Sequence, residues 1–497
     1  MFGFQGHPSS IARREHAAAL KAKHQHARTA PLAGAASSSE TRRSDQFRPM
    51  AAVTIVDVSY VAAPPHAPTK LNAMEAQWVD APLLQYLLLF DADDHLPPFH
   101  DIVQSLRSSL VATLSTHAPL AGKIHYLADT GDVAICCSTA EDSGVRFVVA
   151  ETDADAGRLA RDEDHDVLTF ERLVPEVDMT SLPAPVLAVQ ATRLAGGGGV
   201  ALGFTVHHAV ADGRSLWRFV EAWATTCRGD APPQPPPCFD RSRVRMPGGD
   251  DLARTILRKY APDLPLVTTT APEVSQQDRL TRRTFSLDAA QIARLKETIV
   301  AETQLGGRAP STFVAVIALL WTCAVRGRSI PPDDDVFLFF FADLRGRLDP
   351  PAGADYFGAC LAACLATLPA RELHADGALV AAAAAVQGAI QKMADDPLGF
   401  WPGWEFLNMP GYGDRTVGFP SSGGRVMNVS GHSGFSAYEA GDFGWGRPRR
   451  TENVTMNKDG QVELVRARDG GGVQVAVSML CREHVDAFQS ELRKLLG

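Results

Sequence analysis

His207, His208 and Asp212 are the residues of this chain whose types and spacing best suit chemistry. An imidazole near its ordinary pKa of about 6.5 is largely neutral at pH 7 and takes a proton from a hydroxyl or an amine. One of the two histidines is therefore a candidate general base. Asp212, four residues beyond His208, has three readings: it touches the imidazole, pairs with a distant arginine, or caps a helix. A metal site built from the three is disfavoured, because adjacent strand residues diverge and no third histidine or cysteine follows at ligand spacing. Spacing alone supports a base and nothing more specific.

The elements that must position these residues are readable on either side. Val186 to Leu194 and Val200 to Val206 are apolar, β-prone runs separated by Gly196 to Gly199, the pattern of two antiparallel strands joined by a loose hairpin. Leu216, Trp217, Phe219, Val220 and Trp223 recur at helical spacing, so a helix begins near Asp212 and Gly213. The histidines thus fall where a buried strand turns into a helix. Side chains alternate along a strand, so His207 and His208 are expected to point in opposite directions, with one entering a cleft.

HHAVADG, residues 207–213, matches the His-x-x-x-Asp-Gly signature of acyl-CoA-dependent acyltransferases. Much further on, Asp442-Phe443-Gly444-Trp445-Gly446 matches a second signature, DFGWG. Together, in this order, they resemble the plant BAHD acyltransferases, and the resemblance runs from about Val53 to the end. PLAG (residues 119–122) and Phe239-Asp240-Arg241-Ser242 add to it. Tyr356-Phe357-Gly358-Ala359-Cys360 is similar to YFGNC of the branch that malonylates anthocyanins and phenolic glucosides, with Ala359 in the place of Asn.

The resemblance implies an α/β chain of two domains like chloramphenicol acetyltransferase, each a mixed β-sheet flanked by helices, with a tunnel between them. It implies His208 as the base. Asp212 would point away from it toward an arginine of Asp343-Leu344-Arg345-Gly346-Arg347, with Arg345 the expected partner and Arg347 the alternative. Arg282, Arg283, Lys296, Ser311 and Thr312 are expected to line the CoA site, where cations meet phosphates. Asp442 carries an active-site mark in the family, although Asp442, Gly444 and Gly446 also read as a tight structural turn. The Trp445 indole N–H is expected to donate to an oxyanion. An extra glycine, Gly441, precedes the motif.

The implied function is transfer of an acyl group, malonyl by the branch, from CoA to a hydroxyl of a phenolic or flavonoid glucoside in plant specialised metabolism. The alternative is a hydroxycinnamoyl transfer to an alcohol or amine. Acyl-CoA, malonyl-CoA in the branch reading, is a co-substrate, and no cofactor or metal is expected to be bound. A malonyl carboxylate would want a cation, for which Arg193, Arg214 and Arg425 are available.

Composition agrees with a soluble globular enzyme. The chain has 497 residues, 45% hydrophobic and 21% charged, enough for two large cores. A net charge of −9 argues against nucleic-acid binding, and the longest apolar stretches are too short or interrupted to span a bilayer. The eight cysteines are scattered without zinc or disulfide spacing. The expected partners are therefore an acyl-CoA donor and a small phenolic acceptor, with no membrane and no nucleic acid, and the protein is expected to be a cytoplasmic monomer. Residues 1–50 are basic, acid-poor and rich in Ala, Ser and His. They read as a disordered extension, either a transit peptide or an upstream addition before Met50. The first domain is expected over 51–228, a proline-rich crossover over 229–277, and the second domain over 278–497.

Overall fold

The computed structural model describes residues 52–92, 96–137, 144–161, 164–268, 280–302, 309–399, 424–456 and 458–497. The N-terminal extension and the last residues of the expected crossover lie outside them.

The first half supplies β1 (Val53–Val61), β2 (His66–Lys70), β3 (Leu84–Phe90), β4 (Lys123–Leu127), β5 (Asp132–Cys137), β6 (Val145–Thr152), β7 (Ala184–Pro185), β8 (Leu187–Leu194) and β9 (Val200–Val206). The second half supplies β10 (Thr281–Leu287), β11 (Asp335–Asp343), β12 (Leu361–Pro369), β13 (Val426–Gly431), β14 (Arg450–Asn453), β15 (Gln461–Arg466) and β16 (Val473–Met479). They form two mixed six-stranded sheets, ordered β1-β6-β8-β9-β3-β14 and β10-β16-β15-β13-β11-β12, and a small sheet β2-β5-β4-β7.

The element that matters most is β9. Every residue from Val200 to Val206 is buried, because the strand is central, antiparallel to both β8 and β3. Such a strand reads as a continuous apolar run. Helices Phe99–Leu114 and Gly213–Cys227 cover this sheet, and the buried Trp223 Nε1 donates to Ser109 Oγ at 3.0 Å between them. On the second sheet, helix Thr312–Gly327 is buried from Phe313 to Val325. Helices Ala378–Asp395 and Arg482–Leu496 pack around it.

The halves do not divide cleanly along the chain. β14 comes from the second half but pairs antiparallel with β3, completing the first sheet. Its sequence, RTEN, is polar, yet all four residues are buried. Arg450 donates to Glu452 and, through Nη2, to Thr284 Oγ1 at 3.1 Å, and it also meets His165. The crossover is likewise less extended than its prolines suggest. Helix Gly249–Tyr260 buries Leu252, Ile256, Leu257 and Tyr260 against the first half.

Between the sheets, Glu463 of β15 is buried and bonded to Tyr86 of β3. Burial, reinforced by the charge of Glu452, pushes its carboxyl from the ordinary 4.5 to about 8. The folded state therefore favours the neutral acid. That stability is complete below the ordinary carboxyl range and is lost as pH rises through about 8. Glu463→Gln is expected to match the parent in melting temperature near pH 5 and to exceed it by a margin that widens toward pH 9. Thermal melts across that range check this, and a constant margin would contradict it.

Candidate active site

The strand β9 ends at Val206, which pairs with both Leu84 and Leu187. A turn follows: His207 N–H donates to Val186 O at 2.8 Å, and Val210 N–H to His207 O at 2.9 Å. The two imidazoles diverge, as alternation predicts. His207 is fully buried, and its Nδ1 accepts from Ala209 N–H at 3.2 Å, so its proton sits on Nε2. Burial, then the neighbouring His208, hold its pKa down to about 3, which keeps it neutral and unfit as a base.

His208 is half-buried. Its ring lies face to face on Trp78, with centroids 4.0 Å apart and planes 7° apart. Trp78 in turn meets the edge of Phe341 at 5.0 Å. Phe341 belongs to β11 of the second half, so His208 stands at the seam between the halves.

Asp212 caps helix Gly213–Cys227 by accepting from Ser215 N–H at 2.9 Å. Its other oxygen receives Arg345 Nη1 at 2.8 Å and Cys360 N–H at 3.2 Å. Both side chains are 1% exposed. Burial alone would raise the Asp212 carboxyl, but the Arg345 guanidinium and the two backbone donors hold it below its usual range. Arg345 also donates to Tyr356 O, Gly358 O, Ser215 Oγ and Asp343. Arg347 instead donates to the Asp343 carbonyl. The aspartate therefore ties the turn that presents His208 to β11 and to the YFGAC segment.

That segment is interior. Ala359 is fully buried, so the departure from Asn changes packing beside the loop. A Cβ at Gly358 would collide with the Glu75 carboxylate. Glu75 accepts from Tyr356 Oη at 3.2 Å and from Arg241 Nε at 3.1 Å, and Asn72 Nδ2 donates to Tyr356 Oη at 2.9 Å. The FDRS and YFGAC segments thus converge on one buried carboxylate.

DFGWG is placed differently from the expectation for Trp445, while Asp442 takes the turn role, one of its two readings. It sits at the seam: Arg228 donates to the Asp442 carbonyl, and Phe443 packs edge-on against Trp223 at 5.0 Å. The Asp442 carboxylate closes a local turn by accepting from Gly444 N–H at 3.0 Å. Gly444 and Gly446 have φ of 102° and 86°, which glycine alone adopts without strain. Trp445 packs on Phe90 at 5.3 Å. Phe90 pairs with Val200, at the opposite end of β9 from His208, roughly 20 Å away at about 3.3 Å per residue. Trp445 therefore cannot supply the oxyanion donor, and Asp442 is a turn residue. The motif orients the chain into β14. Gly441 follows a four-residue helix, Ala437–Ala440, where a Cβ would press on Leu88 at 3.0 Å.

The expected CoA contacts separate into two groups. Lys296, Ser311 and Thr312 line one cleft of about 530 Å³, with Phe313, His432, Arg466 and the loop Gly470 to Gly472. Lys296 Nζ donates to Thr312 Oγ1 at 2.9 Å, and Ser311 caps helix Thr312–Gly327. Two cations, a glycine loop and a helix N-terminus suit a polyphosphate. His432 stacks on Phe313, and its Nδ1 accepts from Gly434 N–H at 2.9 Å, so Nε2 carries the proton. Arg282 and Arg283 are not in this cleft. Arg282 is 2% exposed and donates to Val454 O at 2.8 Å. Arg283 is 3% exposed and bridges Asp164 at 2.6 Å and Asp486 at 2.9 Å. Their charges are spent on backbone carbonyls and on carboxylates distant in sequence, which a basic run cannot reveal.

Of the arginines considered for a malonyl carboxylate, Arg193 pairs with Glu151 and Arg425 lies 3.8 Å from Asp334. Arg214 stands in the first turn of the helix after the His208 loop, paired with Asp343 at 2.8 Å. Sequence reasoning missed Trp78, Glu75, Arg466 and His432. Only Asp469 to Gly472, a turn between two apolar runs, advertised itself.

The Transferase family model matches residues 52–495. Agmatine coumaroyltransferase of Arabidopsis thaliana is 32% identical over 360 residues, covering 71% of this chain and 77% of that protein. Malonyl-CoA:anthocyanidin 5-O-glucoside-6''-O-malonyltransferase of the same plant is 29% identical over 454 residues, covering 88% and 97%. Vinorine synthase has the same fold, with a TM-score of 0.66 at 20% identity over 89% of this chain and 98% of that one. So does F. sporotrichioides TRI101 complexed with coenzyme A and T-2, with a TM-score of 0.61 at 16% identity over 86% and 99%. With the family model spanning nearly all of the chain beyond its extension, this protein belongs to the Transferase family, the acyl-CoA-dependent BAHD acyltransferases.

Proposed function

We propose that this enzyme transfers a malonyl group from malonyl-CoA to a hydroxyl of a phenolic or flavonoid glucoside, with His208 as the general base. The single observation carrying the base assignment is the seam position of His208, half-buried and stacked on Trp78, which in turn meets Phe341 of the second half, while His207 is buried and neutral. In the reaction, the His208 imidazole takes the acceptor's hydroxyl proton as the oxygen attacks the thioester carbonyl. The tetrahedral intermediate then breaks its C–S bond, and the leaving thiolate takes the proton back from the imidazolium. The donor and acceptor meet in one ternary complex, where orientation supplies much of the rate. No acyl-enzyme is needed, because a thioester already carries a good leaving group.

The malonyl donor and glucoside acceptor are supported by the relatives that act on anthocyanidin glucosides and by phenolic glucoside malonyltransferase 1 of Arabidopsis thaliana, 28% identical over 451 residues. A second reading, hydroxycinnamoyl transfer to an amine, is supported by the 32% identity to agmatine coumaroyltransferase. A matrix of malonyl-, acetyl- and coumaroyl-CoA against phenolic glucosides, simple phenols and agmatine, read by mass spectrometry, separates them. Malonylated glucoside as the dominant product supports the first reading, and coumaroylagmatine overturns it.

Coenzyme A is assigned to the Lys296 cleft. Lys296→Met is expected to raise the KM for acyl-CoA about tenfold while kcat and the acceptor KM hold, since one charge-assisted phosphate contact is worth roughly 1.5–3 kcal/mol. An unchanged donor KM would remove the assignment. Among the described residues, no helix is long and apolar enough to cross a membrane. A monomeric, cytoplasmic enzyme is part of the same proposal, in keeping with the scattered cysteines.

A further inference from the structure

Nothing in the motifs accounts for Trp78, yet it makes the closest aromatic contact of the candidate base. Its ring is parallel to His208 at 4.0 Å. Its Nε1–H is buried without a hydrogen-bond partner, so the indole is not there to satisfy its own polar atom. The backbone of Trp78 is fixed from both sides: its N–H donates to Glu75 O at 3.0 Å, and its carbonyl accepts from Ala81 N–H at 3.2 Å. Glu75 closes the capping box of helix Ala73–Ala76 and is gripped by Arg241 and Tyr356. An unbroken set of contacts therefore leads from the FDRS and YFGAC segments, through Glu75, to the face of the imidazole.

We propose that Trp78 is the positioning residue of His208, and that the buried Glu75–Arg241–Tyr356 cluster exists to hold the indole in plane. This rests on His208 being the base. The plane of an imidazole is set by rotation about its χ2 bond, which neighbouring groups restrain. A parallel face at 4.0 Å restricts that rotation and fixes the plane in which the ring nitrogens lie. The same face lies against the imidazolium formed when the proton is taken, an arrangement that favours the cation.

Trp78→Leu is expected to lower kcat about tenfold or more, the scale of a misaimed catalytic group, with the KM of donor and acceptor held within about twofold. Trp78→Phe, which keeps a ring, is expected to restore most of the rate. In a His208→Ala background, Trp78→Leu is expected to change the residual rate little, because its effect passes through the imidazole. The proposal is overturned if Trp78→Leu raises only the acceptor KM, which would make the indole a pocket wall. It is equally overturned if the leucine variant slows the His208→Ala enzyme by the same factor as the parent. Should the leucine variant fail to fold, Glu75→Gln carries the test: a lowered kcat with both KM values held is expected, and a normal kcat overturns the proposal. A His208→Ala enzyme with near-parental rate is a different result, which removes the base itself.

Discussion

His208→Ala is expected to lower kcat by about 10²–10⁴-fold, the range of general-base assistance, while leaving the melting temperature close to that of the parent. The residue is half-buried on a turn whose backbone bonds are made by His207 and Val210, so removing its side chain breaks neither of them. Its neighbour cannot take over. His207 faces the interior, its Nδ1 is occupied by Ala209 N–H, and burial keeps its pKa near 3. Release of free thiol from acyl-CoA in the presence of acceptor measures the loss. A rate within tenfold of the parent, in a protein with the parental melt, would end the mechanism.

Asp212→Asn should show the opposite signature, losing stability and rate together. The asparagine can keep the helix cap to Ser215. Its amide, however, must face Arg345 Nη1 or Cys360 N–H, turning an acceptor into a third donor. Breaking a buried pair typically costs 3–5 kcal/mol, and the remaining contact of Arg345 with Asp343 places this case near the lower end, about 3 kcal/mol. Turnover falls because the same turn presents His208. The sign with pH follows from the depressed Asp212 carboxyl. The pair's stability is complete above the ordinary carboxyl range and is lost as pH falls through the folded value, so the deficit of the variant should shrink in acid. Arg345→Met should be at least as damaging, since it strands Asp212 in a site 1% exposed. Chemical denaturation of the three proteins checks this. A parental melt combined with lost activity would make Asp212 catalytic.

Much of the frame was legible. The apolar period over Phe99 to Leu114 is a helix over those same residues, and the two runs around Gly196 to Gly199 are β8 and β9. The pairing of Asp212 with Arg345 came from the family resemblance, and the geometry agrees with it. What failed did so for a physical reason. β14 is four polar residues, invisible to any hydrophobic pattern, because His165 and Thr284 meet Arg450 from elsewhere in the chain. Arg282 and Arg283 read as a basic surface for the same reason, their partners Val454, Asp164 and Asp486 lying far away in sequence. Helix Gly249–Tyr260 had a readable period in Leu252, Ile256 and Tyr260, but the neighbouring prolines outweighed it.

Local order determined the turn after a buried strand, the divergence of His207 from His208, and the helix that starts at Asp212. Each follows from side-chain alternation, from helical periodicity or from a short-range cap, all set within a few residues. Tertiary structure decided which aromatic ring lies against the imidazole, which cations reach the cleft, and that Trp445 stands at the wrong end of β9 for chemistry. Those outcomes depend on partners more than a hundred residues away, as Arg283 is paired with Asp164, Trp78 stacks on His208 and Trp445 packs on Phe90. A pairing across that span leaves no periodic trace in the chain, because it is chosen by the packing of the two sheets.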